Sequence, residues 1–348
     1  MEIDHWNYLT TPPSHTGLIK SRPQDFIVRE KLGYDLLGEG EHIYLWVRKE
    51  QLNTAYLAEE IAKFAKLPLR AVSYAGRKDK HAVTEQWFGV HKPGKAEYDW
   101  DKLAVPGATV IKAIRHNKKL RTGVLKGNQF ELIIREISSF EGIEERLQAV
   151  SKYGVPNYFG PQRFGDSRYD PRGSNLVLAE KMLHGEDIRN RNKRSMAISA
   201  LRSWLFNEYV SARIEENCYQ QPLIGDVMQL AGNASFFNAY IIDPTILQRL
   251  NIRDIQISAP MWGAGRLASQ ATATEFENRV ALKHPKVTET LEKLGLKQER
   301  RPISLYPQDI SWEMNDSELR LRFILPAGAF ATSVLREVVN VSQPGTEQ

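Results

Sequence analysis

The chain has 348 residues, 42% apolar and 26% charged, a composition that builds folded domains and, at this length, two domains or one domain carrying a large insertion. No apolar run approaches the ~20 residues that cross a bilayer, so membrane-spanning roles are set aside. The net charge of +5 is a mild excess that admits a polyanionic partner without demanding one. Cys218 is the single cysteine, which excludes an internal disulfide and a cluster of thiolate zinc ligands and fits a reducing cytosol. The eight histidines carry no H-E-x-x-H or H-x-x-x-H spacing, so no metal is expected. Residues Met1 to Thr11 hold Glu2 and Asp4 and lack the basic-then-apolar order of a signal peptide, so a cytoplasmic protein is expected.

In chain order, the first ~150 residues read as alternating strands and helices. "EHIYLWVRKE" alternates like a half-buried strand. Asn53 or Thr54 can cap the run in which Leu57, Ala58, Ile61, Ala62, Phe64 and Ala65 recur at helical spacing, and Leu67-Pro68 ends it. "AVSYAG" and "TEQWFGV" read as strands joined by a short charged loop, with Gly76 expected to turn the backbone tightly ahead of it. "QFELIIREI" is a further strand, and "EGIEERLQAVSKYG" a helix closed by Gly154. The Gly- and Pro-rich "VPNYFGPQRFGDSRYDPRGSN" then breaks the composition and marks a boundary. Ser195 to Ile214 is helical, with Ile198, Leu201, Leu205 and Val210 along one side. From Ser304 strands return, ending at Leu325-Pro326, and a last helix begins near Ala331 to Ser333.

"SYAGRKDKHAVTEQW" is the stretch with chemical promise, because it sets one carboxylate, Asp79, among Arg77, Lys78 and Lys80. Neighbouring cations favour the ionised form, so Asp79 is expected to titrate below an ordinary aspartate. Such a group carries protons poorly at neutral pH and is better suited to nucleophilic attack or to stabilising a developing cation. Charge alone leaves open a plain surface turn in which Asp79 neutralises its neighbours. "GAGRLA" near Gly263 matches a degenerate dinucleotide fingerprint, but it lacks the distal acidic residue and reads as a glycine turn. No Walker-type phosphate loop and no G-x-S-x-G elbow occurs.

"GRKDKHAVTEQW" resembles the catalytic loop of the TruD family of pseudouridine synthases. "GLIKSRPQDFIVRE", "LKGNQFELIIRE", "VPNYFGPQRFG", "RNRNKRS" and "LPAGAFATSVLRE" resemble further signatures of that family, in its order across nearly the whole chain. The resemblance implies an α+β protein. Its catalytic domain is a mixed, antiparallel-rich sheet, residues 1–153 and 305–348, interrupted by an inserted α/β domain, residues 154–304, in a V-shaped arrangement. It further implies a monomeric, cofactor-independent isomerase that converts uridine in tRNA to pseudouridine, at position 13 in bacterial members, with base flipping.

By the same resemblance Asp79 is the nucleophile and Lys20 the cation beside it. Phe130 is a ring against the target base, Asn128 a reader of the uracil edge, and Phe26 and Phe330 further substrate contacts. Arg77, Lys78 and Lys80 support Asp79 or hold phosphate, Thr84 and Gln86 hold the loop, and His81 is a loop residue. The exposed-looking basic clusters gain a role as grips on the RNA backbone: Lys118, Lys119 and Arg121 in the catalytic half, and Arg189, Arg191, Lys193 and Arg194 in the insertion. "DSRYDPRGSN" is longer than the family's usual run at that point. Two alternatives stand beside the isomerase: an inactive RNA-binding module or chaperone of the same fold, and a base-releasing glycosidase pairing Asp79 with Glu85.

Overall fold

The computed structural model describes residues 1–94, 97–167, 169–233 and 235–344. The chain folds as two compact units: Pro13–Ser151 with Pro307–Ala331 and Val338–Gln348, and Met1–Pro12 with Lys152–Tyr306 and Thr332–Glu337. Met1–Pro12 and Thr332–Glu337 thus pack in the unit that holds the central segment, although the resemblance assigns them to the catalytic domain. The reason is local: Trp6 stacks on Tyr158, and the Ser333 hydroxyl donates to the Tyr158 carbonyl at 2.7 Å.

The first unit begins with β1 (Thr16–Leu18), β2 (Phe26–Leu32) and β3 (His42–Glu50), followed by α1 (Thr54–Phe64), β4 (Val72–Tyr74), β5 (Val83–His91), β6 (Ala108–His116), β7 (Leu125–Ile134) and α2 (Ile143–Tyr153). The second supplies β8 (Val155–Pro156), α3 (Pro161–Phe164), α4 (Ser174–Leu183), α5 (Arg191–Glu215), β9 (Asp226–Leu230), β10 (Phe236–Ala239), α6 (Pro244–Asn251), β11 (Ile255–Met261), α7 (Ala271–Leu282), α8 (Pro285–Lys293), β12 (Glu299–Pro302) and β13 (Ser304–Leu305). The chain ends with β14 (Gln308–Asn315), β15 (Glu318–Pro326), α9 (Ala331–Val338) and β16 (Asn340–Ser342).

An eight-stranded sheet carries the first unit, in the order β14-β15-β7-β2-β5-β3-β6 with β4 on β5. β2 and β5 run parallel and the other pairs antiparallel, as expected of a mixed, antiparallel-rich sheet. The stretch before α2 is more strand-rich than a simple alternation of strands and helices, since β1, β2 and β6 join those read from the sequence. Alternation along β3 sends Ile43, Leu45 and Val47 to one face, where they meet Phe88 and the apolar side of α1, Leu57, Ala58, Ile61 and Ala62. Asn53 caps α1 by accepting from the Ala55 amide at 2.8 Å, which leaves Thr54 free to turn inward and be buried. The opposite face buries Tyr44, Trp87 and Leu120.

In the second unit β10-β9-β11-β12 form an antiparallel sheet against α5. α5 is longer than the sequence pattern suggested because Asn190 caps it, accepting from the Lys193 amide at 3.1 Å. A fully buried ion pair, Arg213 with Asp226, ties α5 to β9. "GAGRLA" forms no dinucleotide-binding turn: α7 starts only at Ala271, and Gly263 is packed against the Leu296 and Lys297 backbone. In the unusual run after "GPQRFG", Arg172 pairs with Asp170 and with Glu180 at 2.8 Å, while Arg168 lies outside the described residues.

Candidate active site

Sheet topology lifts the Asp79 loop off its own strands. β4 pairs with the far end of β5, Tyr74 opposite Phe88, and a plain hairpin would continue along that edge. β2 already occupies it, with Ile27, Val28 and Arg29 opposite Val83, Thr84 and Glu85. Residues 75–82 therefore leave the edge and lie over the face that carries Val28, Glu30, Lys49, Gln86 and Phe130.

Several bonds pin the loop there. The Lys78 amide donates to the Thr54 hydroxyl at 3.1 Å, and that hydroxyl donates to Gln86 Oε1 at 3.0 Å. Gln86 Nε2 reaches the Gly76 carbonyl at 3.5 Å, so Gln86 does hold the loop. The Thr84 hydroxyl is buried without a hydrogen-bond partner among the described residues. Gly76 does not play the part expected of it. It is absent from the glycines with positive φ, and a Cβ placed there would meet only Lys78 Nζ, at 3.9 Å.

Asp79 Oδ2 accepts from Lys20 Nζ, and Oδ1 accepts from the His81 amide at 3.0 Å in a local turn. Its side chain is 20% exposed. Burial by itself would raise its pKa, but the Lys20 charge, the Lys20 hydrogen bond and the His81 amide together hold the carboxyl below the usual aspartate range. The direction is as expected and the cause is different. Of the neighbours in sequence, Lys78 turns away to a wholly shielded Glu30, which also accepts from the Trp87 amide at 2.8 Å, and Arg77 and Lys80 are exposed. Lys20 follows β1 with φ 57°, a left-handed conformation costing a residue with a side chain roughly 1–2 kcal/mol. The ion pair and a position 4.6 Å above the Phe26 ring offset that cost.

An aromatic wall continues from Lys20. Phe26 meets Phe130 edge-on at 6.3 Å, and Phe130 stacks on Phe323 of β15 at 5.5 Å. Register puts Val28 and Phe323 on either side of Phe130, and Glu30 and Leu325 on either side of Asn128. Asn128 Oδ1 is buried and has no hydrogen-bond partner among the described residues, a deficit of about 1–3 kcal/mol unless a ligand meets it. Phe330 is half-buried in the segment between β15 and α9.

Asp79, Lys20, Phe26 and Phe130 thus touch one another in turn, with Lys78 joined to the same face through Glu30. The sequence reading missed Glu30, Thr54 and Lys49, whose Nζ donates to the Asp79 carbonyl at 3.1 Å. Lys49 had a signal: it continues the inward row Ile43, Leu45, Val47. Glu85, the partner required for a glycosidase pair, lies on the other face of β5, bonded to Arg48 at 3.1 Å and Arg29 at 3.3 Å. Lys118, Lys119 and Arg121 are exposed after β6, and Arg189, Arg191, Lys193 and Arg194 are exposed at the start of α5. Among the described residues no helix is long and apolar enough to cross a membrane.

The family model for TruD, tRNA pseudouridine synthase D, matches residues 2–186 and 185–338. A protein from Pseudoalteromonas atlantica named tRNA pseudouridine synthase D is 66% identical over 99% of both chains. One of the same name from Aeromonas hydrophila is 48% identical over 98% of this chain and 96% of its own. A crystal structure from Methanosarcina mazei, described as tRNA pseudouridine synthase D (TruD), shares the fold with a TM-score of 0.72 at 21% identity, covering 96% of each chain. The chain belongs to the TruD family of tRNA pseudouridine synthases, enzymes that are isomerases.

Proposed function

We propose that this chain isomerises uridine in tRNA to pseudouridine, at position 13, acting as a monomer without a cofactor and with Asp79 as the nucleophile. The observation that carries the reading is an ionised carboxylate four-fifths shielded from solvent, tied to Lys20, with Lys20 lying over Phe26 and Phe26 against Phe130. A uracil extruded from the RNA stack finds aromatic rings on that wall, at ~1–3 kcal/mol per stacked base. The uracil N3–H offers the donor that Asn128 Oδ1 lacks.

The chemistry is redox-neutral. The N1–C1′ bond breaks, the base turns within the site, and C5 bonds to C1′. The C5 proton leaves and N1 gains one, so the product has the substrate's composition. An unprotonated Asp79 serves this sequence whether its oxygen attacks the ribose carbon or the uracil ring, because either attack consumes a carboxylate lone pair. Lys20 limits the energetic penalty of keeping that charge in a shielded place.

The test is to incubate the protein with unmodified tRNA transcript and digest the RNA to nucleosides. Pseudouridine resolved by chromatography and mapped by carbodiimide stops to position 13 is the expected result, with Asp79→Asn losing turnover while tRNA affinity changes little. Free uracil indicates a glycosidase instead, and binding without any change in the RNA indicates an RNA-binding module. An Asp79→Asn protein that still converts uridine refutes the nucleophile.

A further inference from the structure

A buried ammonium lies directly beneath the Asp79 loop. Lys49 ends the inward row of β3, and its side chain is fully shielded from solvent. Its Nζ donates to the main-chain carbonyl of Asp79 at 3.1 Å and to that of Leu52, just ahead of α1, at 2.8 Å. Lysine is among the side chains least often buried, since removing its charge from water costs several kcal/mol unless partners compensate. The two carbonyls satisfy hydrogen bonds and carry no charge. An apolar residue would continue the row Ile43, Leu45, Val47 at less cost.

We propose that Lys49 is a positioning residue for Asp79. As an ammonium it ties the nucleophile's own carbonyl to the turn before α1, which keeps the carboxylate beside Lys20 and Phe26, and it adds a second positive charge near that carboxylate. The proposal rests on Asp79 being the nucleophile. It differs from the roles of Lys20, which binds the carboxylate itself, and Lys78, which is taken by Glu30.

Protonation makes the clamp conditional. The charged groups facing Lys49 are Asp79 and Lys78 of the loop and Glu30 of β2, with Lys20 behind Asp79. Burial is the largest influence and lowers the Lys49 pKa. Asp79 and Glu30 oppose it, Lys78 reinforces it, and the outcome is about 8. A neutral amine donates more weakly and contributes no charge, so turnover is lost as pH rises through this value.

Single-turnover conversion of unmodified tRNA is measured from about pH 6.5 to about pH 9.5 for the wild type, Lys49→Met, Lys49→Arg and Asp79→Asn, with tRNA affinity and thermal unfolding alongside. The wild-type rate is expected to fall on the alkaline side with a midpoint of about 8. Lys49→Met is expected to be about 100-fold slower, as for a misplaced reacting group, with affinity little changed and without that alkaline limb. Lys49→Arg keeps its charge to higher pH, so its rate recovers toward the wild type and its plateau extends. Should neither variant fold, the wild-type profile decides, together with a ¹³Cε lysine resonance titrating at about 8. A rate that stays level across the range, or a folded Lys49→Met at the wild-type rate, overturns the proposal. Asp79→Asn separates the two readings. If it remains active the nucleophile is wrong, whereas an inactive Asp79→Asn beside a fully active Lys49→Met removes Lys49 alone.

Discussion

Lys20 and Asp79 are 59 residues apart in the chain and form a hydrogen-bonded ion pair in the fold. Asp79 is thereby kept ionised by a cation from the segment that follows β1, while its own neighbours Arg77 and Lys80 are exposed. The pair places the carboxylate at the start of the aromatic wall, where a charge held only by loop residues would face water.

The pH dependence follows from that pair. Asp79 titrates below its unfolded value, so its contribution to stability is full above the unfolded aspartate pKa of about 3.9 and is lost as pH falls through the lower folded value. The wild-type rate is therefore expected to hold level on the acid side down to about pH 5. In Lys20→Met burial is opposed only by the weaker influences of His81 and the Lys49 charge, and the acid limb moves to higher pH with a neutral-pH rate at least about tenfold lower. Single-turnover rates across the acid range check this, and an unmoved limb would show that Lys20 does not set the carboxylate.

Phe130 is buried between Phe26 and Phe323, so its removal should act on both stability and chemistry. Phe130→Ala is expected to cost about 3–5 kcal/mol of stability through the cavity it leaves. Phe130→Leu keeps most of the volume and removes the ring. A thermal unfolding curve near that of the wild type with a clearly slower single-turnover rate is expected for Phe130→Leu. Equal rates would assign Phe130 to the core and not to the base.

Glu30 and Lys78 test how the loop is anchored. Their side chains are 0% and 10% exposed, and breaking one half of so shielded a pair costs about 3–5 kcal/mol. Glu30→Gln is expected to lower the denaturation midpoint and the rate together, and Glu30→Gln combined with Lys78→Met to restore part of the stability. A double-mutant cycle with no coupling would place the anchor elsewhere.

The exposed basic clusters are expected to act on binding alone. Replacing Lys118, Lys119 and Arg121 by Ala, or Arg189, Arg191, Lys193 and Arg194 by Ala, should weaken tRNA binding and flatten its salt dependence by about 0.7–0.9 in log–log slope for each phosphate no longer neutralised. The rate at saturating tRNA should change little. An unchanged slope would return the altered cluster to the role of a solvated surface.

Local pattern made much of the fold legible. β3, β5 and β7 are strands of nine or ten residues, and α1 has a clean cap and one apolar side, so burial repeats at a period that neighbouring residues report. β6 was not legible because it is an edge strand: of its residues only His116 is buried, and the apolar signal is weak. β2 was read as a motif and not as a strand, although Phe26, Val28 and Glu30 alternate inward. A glutamate in the inward row hides that period.

By itself the sequence determined the family, through ordered motifs along nearly the whole chain, and it singled out Asp79, whose acidity it assigned in direction. Tertiary structure decided which groups surround that carboxylate. β2 inserts beside β5 and displaces the Asp79 loop onto the sheet face, and only there do Lys20, Lys49 and the Phe26–Phe130 wall converge. The physical reason is that electrostatics and stacking depend on distance through space, and distance along the chain ranked Arg77 and Lys80 ahead of the residues that in fact hold the charge.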